Sequence, residues 1–216
     1  MRKKISNTNA TLIDTIADTI ATQFEGSIGK VGIDGFCASG KTTIAHELKK
    51  RLQDMQRVVV SATSDDFMNP PEIRWRLGKD SPLGFYKDAI DFDAIARELL
   101  FPLGKEGNKK YRTSTYDVQK SKTNYSEQKR ADPETVLIFD GLFLQVPQLR
   151  NFWDMVIYVE ANYDTCILRA KERNQEKRHS QNEIEQAYLK RYVLGFELYL
   201  QEIDPRNKAD FIINTE

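Results

Sequence analysis

The sequence contains little cysteine and no excess of charge, and both features exclude whole classes of protein. Its 216 residues include two cysteines, Cys37 and Cys166, which form neither a CxxC pair nor a metal-ligand pattern. We therefore expect free thiols in a reducing setting. The 32 basic side chains are balanced by 32 acidic ones, so no net charge draws the chain to nucleic acid. We expect no nucleic-acid partner.

Long apolar runs are also missing from the sequence. The longest one, residues 136–146, contains Asp140 and is too short to span a bilayer. The basic N-terminus lacks the apolar segment of a signal peptide, because Asp14 and Asp18 interrupt its apolar residues. The sequence thus predicts a cytoplasmic protein with no membrane partner.

Apolar residues recur with two periods along the chain. Helical spacing predicts helices over residues 11–24, 42–54, 92–100, 163–176 and 181–202. Short apolar runs predict strands at residues 28–33, 58–60, 136–139, 155–159 and 209–213. Because helical segments separate the strands, we expect a three-layer α/β fold with a central parallel sheet of about five strands.

A glycine-rich loop lies between the first strand and the helix that follows it. Residues 35–42, GFCASGKT, fit the pattern G-x-x-x-x-G-K-[ST] of a P-loop. The backbone N–H groups of such a loop, together with the positive end of the next helix, bind anionic phosphates. Lys41 is expected to reach the β- and γ-phosphates, and the Thr42 hydroxyl to bind Mg²⁺. The motif therefore predicts a P-loop nucleoside-triphosphate hydrolase-type fold that binds ATP and Mg²⁺, with GTP left open as the donor.

Acidic residues end two of the predicted strands. Asp140 follows an apolar strand and resembles a Walker B carboxylate, which makes it the second expected Mg²⁺ ligand. Asp65 and Asp66 follow the strand at residues 58–60, and ligands gather at the carboxyl ends of parallel strands. A carboxylate there could accept a hydroxyl proton as a phosphoryl group is transferred. The sequence does not separate the roles of Asp65 and Asp66.

Arginines on a predicted helix provide positive charge for a lid. Arg169 and Arg173 are four residues apart and share one helix face, and Arg178 follows shortly after. Guanidinium groups so placed could bind phosphates while the lid excludes water. The alternative is a solvated helix whose arginines pair with Glu172 and Glu176. The predicted ATP-binding residues are Gly35, Ala38, Ser39, Gly40, Lys41, Thr42, Thr43 and Arg178, and the predicted catalytic residues are Asp65, Lys41, Arg169 and Arg173.

We expect one domain, because 216 residues suit a single α/β unit. Residues 1–27 are predicted to form an N-terminal helical extension. Residues 67–90 are predicted to be irregular, and the polar residues 102–134 to form loops or a small hairpin. The whole region 67–134 is predicted to be an insertion that covers the acceptor site. Residues 163–180 are predicted to form the helical lid.

Taken together, these motifs resemble the uridine kinase-like family of P-loop kinases, which is related to nicotinamide riboside kinase, pantothenate kinase and phosphoribulokinase. The resemblance covers residues 30–213, and it includes SDDF at residues 64–67 and Asp140-Gly141 in place of the family's E-G. The D-x(4)-R-x(3)-R spacing at residues 164–173 is also similar. The resemblance implies that Asp65 is the catalytic base.

The resemblance also implies residues that bind the phosphate acceptor. DAID at residues 88–91 and the Tyr116-Asp117 step are similar to family segments that contact a ribose and line the acceptor pocket. The candidate substrate-binding residues are Asp66, Tyr86, Asp88, Asp91 and Tyr116. The histidine that reads a pyrimidine is missing from residues 118–122, and Met68 replaces an aromatic residue. Kinase activity is thus better supported than uridine specificity; Arg74, Arg76 and Lys79 could meet an anionic acceptor or be solvated loop charges.

The sequence as a whole predicts an ATP-dependent small-molecule kinase. It would transfer the γ-phosphoryl group to a hydroxyl of a nucleoside or similar ribosyl metabolite. The alternative is an ATP-binding switch protein or an ATPase without a small-molecule acceptor. The identity of the acceptor and the oligomeric state, a homo-oligomer included, stay open.

Overall fold

A central parallel sheet organises the fold. The computed structural model describes residues 7–173 and 180–216. The sheet strands are β1 (Gly29–Gly35), β2 (Val59–Thr63), β3 (Val136–Gly141), β4 (Met155–Glu160) and β5 (Phe211–Asn214). They lie in the order β2-β3-β1-β4-β5, and every neighbouring pair is parallel. The predicted three-layer α/β fold is confirmed, with each predicted strand present within a few residues of its expected position.

Helices cover both faces of this sheet. They are α1 (Asn7–Gln23), α2 (Lys41–Asp54), α3 (Pro71–Arg74), α4 (Pro82–Asp88), α5 (Phe92–Ile95), α6 (Phe101–Leu103), α7 (Pro147–Arg150), α8 (Tyr163–Arg173), α9 (Gln181–Ala187), α10 (Val193–Ile203) and α11 (Pro205–Lys208). Each helix within the described ranges is too short or too polar to cross a membrane.

Alternation along the strands builds one core on each face, because successive side chains of a strand point to opposite sides. In β3, Val136 and Ile138 join the core formed with α1 and α2, whereas Leu137 and Phe139 join the core formed with the remaining helices. The N-terminal helix α1 therefore completes the first core. Its Asn9 side chain also donates to the Asn214 carbonyl of β5 at 2.6 Å.

The region between β2 and β3 is more regular than predicted. Residues 67–90 were expected to be irregular, but they contain α3 and α4. Both helices begin with a proline that suits the first turn, and Ser81 caps α4 by accepting the Gly84 N–H at 3.0 Å. Two short hairpins follow, one pairing Lys110–Tyr111 with Lys129–Arg130 and the other pairing Tyr116–Asp117 with Lys122–Thr123.

Two π-helical turns join neighbouring helices. Ala96–Leu100 connects α5 to α6, and Tyr188–Tyr192 connects α9 to α10. The predicted helix at residues 181–202 is thus present as one helical run with a π turn inside it. Such turns reorient the side chains of a helix and are frequent at functional sites.

Candidate active site

The P-loop joins β1 to α2 in the conformation that its glycines allow. Gly35 has φ 149°, Ala38 has φ 58° and Gly40 has φ 107°. A Cβ atom on Gly35 would lie 2.4 Å from the Val159 carbonyl oxygen, so a glycine is required there. The helix α2 begins at Lys41, and the first N–H groups of a helix have no partner within it. The loop and the start of α2 therefore offer main-chain donors to an anion.

Lys41 adds a positive charge to these donors. Its side chain is buried, and Nζ donates to the Phe36 carbonyl at 2.6 Å. Lys41 also lines a cavity next to the P-loop. The ammonium group is thus held beside the loop, where it can meet a phosphate.

Thr42 and Asp140 meet although they are far apart in sequence. The Thr42 hydroxyl donates to Asp140 Oδ2 at 2.6 Å. Burial raises the pKa of the Asp140 carboxyl, and the Thr42 hydrogen bond and the Lys41 charge oppose that rise. The structure therefore brings together the two predicted metal ligands.

The donor set suits Mg²⁺ rather than a metal enclosed by protein. A hydroxyl and a carboxylate are hard oxygen ligands, and Mg²⁺ is usually held by one or two such groups together with substrate phosphates. Within residues 7–173 and 180–216, no three His, Cys, Asp or Glu side chains form a metal-binding group. The Thr42–Asp140 pair thus fits a Mg²⁺ ion bound with ATP.

A cavity of about 930 Å³ extends from the P-loop to α3, α4 and the π turn Tyr188–Tyr192. Its wall includes Lys41, Thr42, Asp65 and Asp140, all predicted site residues. It also includes residues that the sequence did not indicate as site residues, namely Trp75, Phe85, Tyr188, Arg191 and Tyr192. The cavity is therefore large enough to hold a second ligand beside a nucleotide.

Asp65 and Asp66 occupy one 3₁₀ turn, Ser64–Phe67, directly after β2. The cavity wall formed by the described residues includes Asp65 but not Asp66. Asp66 accepts the Thr115 N–H through its carbonyl at 2.9 Å. Burial, followed by the charges of Asp65 and Asp140, raises the pKa of the Asp66 carboxyl. The structure thus distinguishes Asp65, which lines the cavity, from Asp66, which does not.

The two described lid arginines reach the cavity in different ways. Arg169 donates through Nη1 to the Ser39 carbonyl at 3.2 Å, and through Nη2 to the Thr215 carbonyl at 2.5 Å. It therefore ties α8 to the P-loop and to the segment after β5. Arg173 also lines the cavity, and its charge acts on the Cys37 thiol of the P-loop. The predicted Arg178 lies outside the described residues.

The other predicted acceptor residues lie away from the cavity wall that the described residues form. Asp88 accepts two N–H groups of Arg76, at 2.9 and 2.7 Å, and Asp91 caps α5 by accepting the Ala94 N–H. Tyr86 and Tyr116 are almost fully buried. Together with Asp66, these four are thus not among the residues that the structure brings to the cavity.

The buried carboxylate of Asp34 contacts the first residue of the P-loop, and it was not among the predicted site residues. Asp34 is fully buried and accepts the Gly35 N–H at 2.9 Å and the Tyr199 hydroxyl at 2.5 Å. Gln145 Nε2 and the Leu144 N–H donate to it at 3.3 and 3.4 Å. Burial raises the pKa of the Asp34 carboxyl. The available signal was an acidic residue within an otherwise apolar strand.

A P-loop whose hydroxyl–carboxylate pair and second strand-end acid line one cavity defines a P-loop nucleotide-binding protein. The Phosphoribulokinase / Uridine kinase family model matches residues 30–215. The chain belongs to this family.

Curated relatives agree with this assignment, and a solved structure has the same fold. The chain is 31% identical over 189 residues to the uridine kinase of Brevibacillus brevis, covering 85% of this chain and 83% of that protein. It is 27% identical over 190 residues to the uridine kinase of Lactobacillus helveticus, covering 85% and 84%. A structure described as a possible uridine kinase from Bacillus stearothermophilus superimposes with a TM-score of 0.73 at 22% identity, covering 93% of this chain and 96% of that one.

Membership confirms the predicted class of activity. The protein is an ATP-dependent small-molecule kinase, a phosphotransferase that acts on a hydroxyl group. The predicted alternative, a switch or ATPase without an acceptor, is not favoured by these relatives.

Proposed function

We propose that the protein transfers the γ-phosphoryl group of ATP to a hydroxyl of a metabolite bound in the cavity, with Asp65 as the catalytic base. Nucleosides and other ribosyl compounds are the first acceptors to test, because relatives of this chain carry the name uridine kinase. The observation that carries the proposal is that Asp65, Lys41 and the Thr42–Asp140 pair line one cavity.

The position of Asp65 supports a role in proton transfer. It follows β2, which pairs with β3 up to Thr63 and Asp140, so both acids lie at the same edge of the sheet. The Asp65 charge also raises the pKa of the Asp140 carboxyl, which shows that the two groups are within electrostatic reach. An acceptor hydroxyl in the cavity could therefore give its proton to Asp65 while it attacks the γ-phosphorus.

Positive groups then stabilise the transferred phosphoryl group. Lys41 and the first N–H groups of α2 bind the phosphates, and Arg169 and Arg173 add charge from α8. Thr42 and Asp140 would hold Mg²⁺, which when bound neutralises charge on the phosphate oxygens. The segment 163–180 would act as the lid that keeps water out of this site.

The role of Asp65 is tested by the Asp65→Asn variant, with Asp66→Asn as the matched control on the same turn. Removing a general base costs on the order of 10²–10⁴-fold in rate. We expect a loss of this size in kcat for Asp65→Asn, unchanged binding of a fluorescent ATP analogue, and a much smaller loss for Asp66→Asn. Equal losses in both variants, or near-normal turnover by Asp65→Asn, would remove Asp65 from the mechanism.

The acceptor is tested by ADP release with and without hydroxyl compounds. Uridine, cytidine, nicotinamide riboside, pantothenate and sugar phosphates form the first panel. Release that depends on one of these compounds supports the kinase. Release at one rate with every compound and without any would instead support a nucleotide hydrolase.

We also propose a cytoplasmic location, where ATP and Mg²⁺ are supplied. Both cysteines are free thiols, and burial raises the pKa of each to about 11. Cell fractionation with immunodetection tests the location, and recovery outside the cytoplasmic fraction would contradict it. A homo-oligomer stays a prediction that sedimentation measurements can check.

A further inference from the structure

Two arginines line the part of the cavity that α3, α4 and the π turn form. Arg74 comes from α3 and is only 8% exposed, and Arg191 comes from the turn Tyr188–Tyr192. Among the described residues, no carboxylate lies within ion-pair distance of either guanidinium, although Arg76 and Lys87 nearby each pair with an acid. Arg191 is half-buried, whereas Arg74 is buried, and a buried charge without a counter-charge is costly. The cost at Arg74 suggests that a ligand provides the counter-charge.

Aromatic and thioether groups hold Arg74 in place. Its guanidinium lies 4.8 Å from the centre of the Trp75 ring and 5.6 Å from that of Tyr116, and Nη1 donates to Met68 Sδ at 3.3 Å. Its Nε has no hydrogen-bond partner. These contacts fix the plane of the guanidinium but do not neutralise it.

Arg191 is held in a similar way. Its guanidinium lies 5.5 Å from the ring centres of both Phe85 and Tyr192, and its Nε also lacks a partner. The charges of Arg191 and Arg74 both act on the Tyr192 hydroxyl, where they oppose the rise in pKa that burial causes. Both arginines line the same cavity as Tyr192.

The other basic residues of this region behave differently. The Arg76 side chain is 61% exposed and pairs with Asp88. Lys79 is also exposed, and its Nζ lies 4.8 Å from the centre of the Trp75 ring. Of the three basic residues that the sequence offered for an anionic acceptor, only Arg74 lines the cavity. The triphosphate already has Lys41, Arg169 and Arg173 on its side of the wall. Arg74 and Arg191 therefore add positive charge beyond the groups already proposed to bind the nucleotide.

We infer that the phosphate acceptor carries an anionic group, a phosphate or a carboxylate, which Arg74 and Arg191 bind while its hydroxyl faces Asp65. A guanidinium held flat by aromatic rings loses little freedom on binding, and its fork of donors matches both kinds of anion. This inference rests on the proposed function, and it favours a charged hydroxyl compound over a neutral nucleoside.

Matched acceptor pairs test the charge requirement in turnover. We would compare ribose 5-phosphate with ribose, and glycerate with glycerol, so that the first pair examines phosphate and the second examines carboxylate. A hydrogen bond to a charged group that is lost costs on the order of tenfold to a hundredfold. We expect kcat/KM to favour the anionic member of at least one pair by that factor. Equal use of the neutral member, or efficient turnover of uridine alone, would overturn the inference.

Variants separate acceptor binding from ATP binding. Arg74→Gln and Arg191→Gln should raise KM for the anionic acceptor about tenfold or more and leave KM for ATP unchanged. Lys79→Gln, an exposed change in the same segment, is the control and should alter neither constant. Arg74→Lys keeps the charge if Arg74→Gln does not fold. A rise in KM for ATP alone would assign these arginines to the nucleotide instead.

A binding experiment keeps this inference distinct from the proposed function. With the P-loop filled by Mg²⁺ and a non-hydrolysable ATP analogue, inorganic phosphate or acetate is titrated against the thermal midpoint. We expect one of these anions to raise the midpoint of the natural protein but not that of Arg74→Gln. That result would support the anion site even if no panel compound were phosphorylated. No rise, or the same rise in both proteins, would overturn it.

Discussion

Replacing Tyr199 with phenylalanine should weaken the support of the P-loop in a way that depends on pH. Asp34 receives four hydrogen bonds, from the Gly35 and Leu144 N–H groups, the Tyr199 hydroxyl and Gln145 Nε2. An ionised carboxylate has about four acceptor sites, so it can accept all four of these hydrogen bonds. The Tyr199 hydroxyl also accepts the Gln145 N–H at 3.1 Å. Tyr199→Phe therefore removes one bond to Asp34 and leaves one buried N–H without a partner.

The size of the effect follows from the charge of Asp34. When Asp34 is protonated, two neutral hydrogen bonds are lost, each worth about 1 kcal/mol, for a total of about 2 kcal/mol. When it is ionised, the bond to the carboxylate is worth about 1.5–3 kcal/mol, and the total rises to about 2.5–4 kcal/mol.

The direction of the pH dependence follows from the pKa shift. Burial holds the pKa of Asp34 above its usual 3.8 in the folded protein, so the free energy of unfolding falls as pH rises from 3.8 through the folded-state pKa. The Tyr199 bond lowers that pKa, and its loss makes this fall larger. The variant should therefore lose more stability at pH 8 than at pH 5.

Urea unfolding followed by circular dichroism at pH 5 and pH 8 measures both values. Tyr111→Phe is the control, because Tyr111 is buried in the core but makes no hydrogen bond to Asp34 within the described structure. It should give the same small loss at the two pH values. If Tyr199→Phe also lost the same stability at both, the ionised Asp34 network would be refuted.

Three further predictions concern the P-loop. Thr42→Val keeps the shape of the side chain but removes the hydroxyl that donates to Asp140. It should lower kcat and raise the Mg²⁺ concentration needed for half-maximal activity at least about tenfold. A Mg²⁺ titration measures this, and an unchanged curve would contradict the metal role. Gly35→Ala should abolish ATP binding or lower the thermal midpoint by several degrees, because its Cβ would lie 2.4 Å from the Val159 carbonyl oxygen, whereas normal binding and melting would refute that contact. Cys37 is half-buried, but its raised pKa of about 11 keeps the thiol protonated, so it should react with iodoacetamide much more slowly at pH 8 in the folded protein than in urea. Peptide mass mapping of Cys37 before and after unfolding tests this, and equal labelling in the two states would contradict it.

The sheet and the P-loop could be predicted because their signals are local. Each of the five strands is a short apolar run, and the loop at residues 35–42 identifies itself by the spacing of Gly35, Gly40 and Lys41. The carboxyl ends of parallel strands meet at one edge, so the proximity of Thr42 to Asp140 also followed from the fold class. Main-chain geometry thus decides this half of the site.

The other half of the cavity could not be predicted in the same way. Part of its wall comes from α3 and α4, which are too short to show the helical periodicity of apolar residues. Another part comes from the π turn, which changes the directions of Arg191 and Tyr192 within a helical run. The match at residues 88–91 pointed to Asp88 and Asp91 instead. In the structure, Arg76 and the start of α5 occupy those two carboxylates.

The contrast between the two halves explains why acceptor specificity can change while the reaction stays the same. In the proposed function, main-chain groups and Lys41 bind the phosphates, so we expect substitutions on the opposite wall to change the acceptor rather than the phosphoryl transfer. That opposite wall consists of side chains from separate segments, and each of them can be replaced independently. Here the histidine expected for a pyrimidine is missing from residues 118–122, Met68 stands where an aromatic residue was expected, and Arg74 donates to its sulfur. The missing histidine, and two arginines that form no ion pair within the described residues, agree with the proposal that the acceptor carries an anionic group.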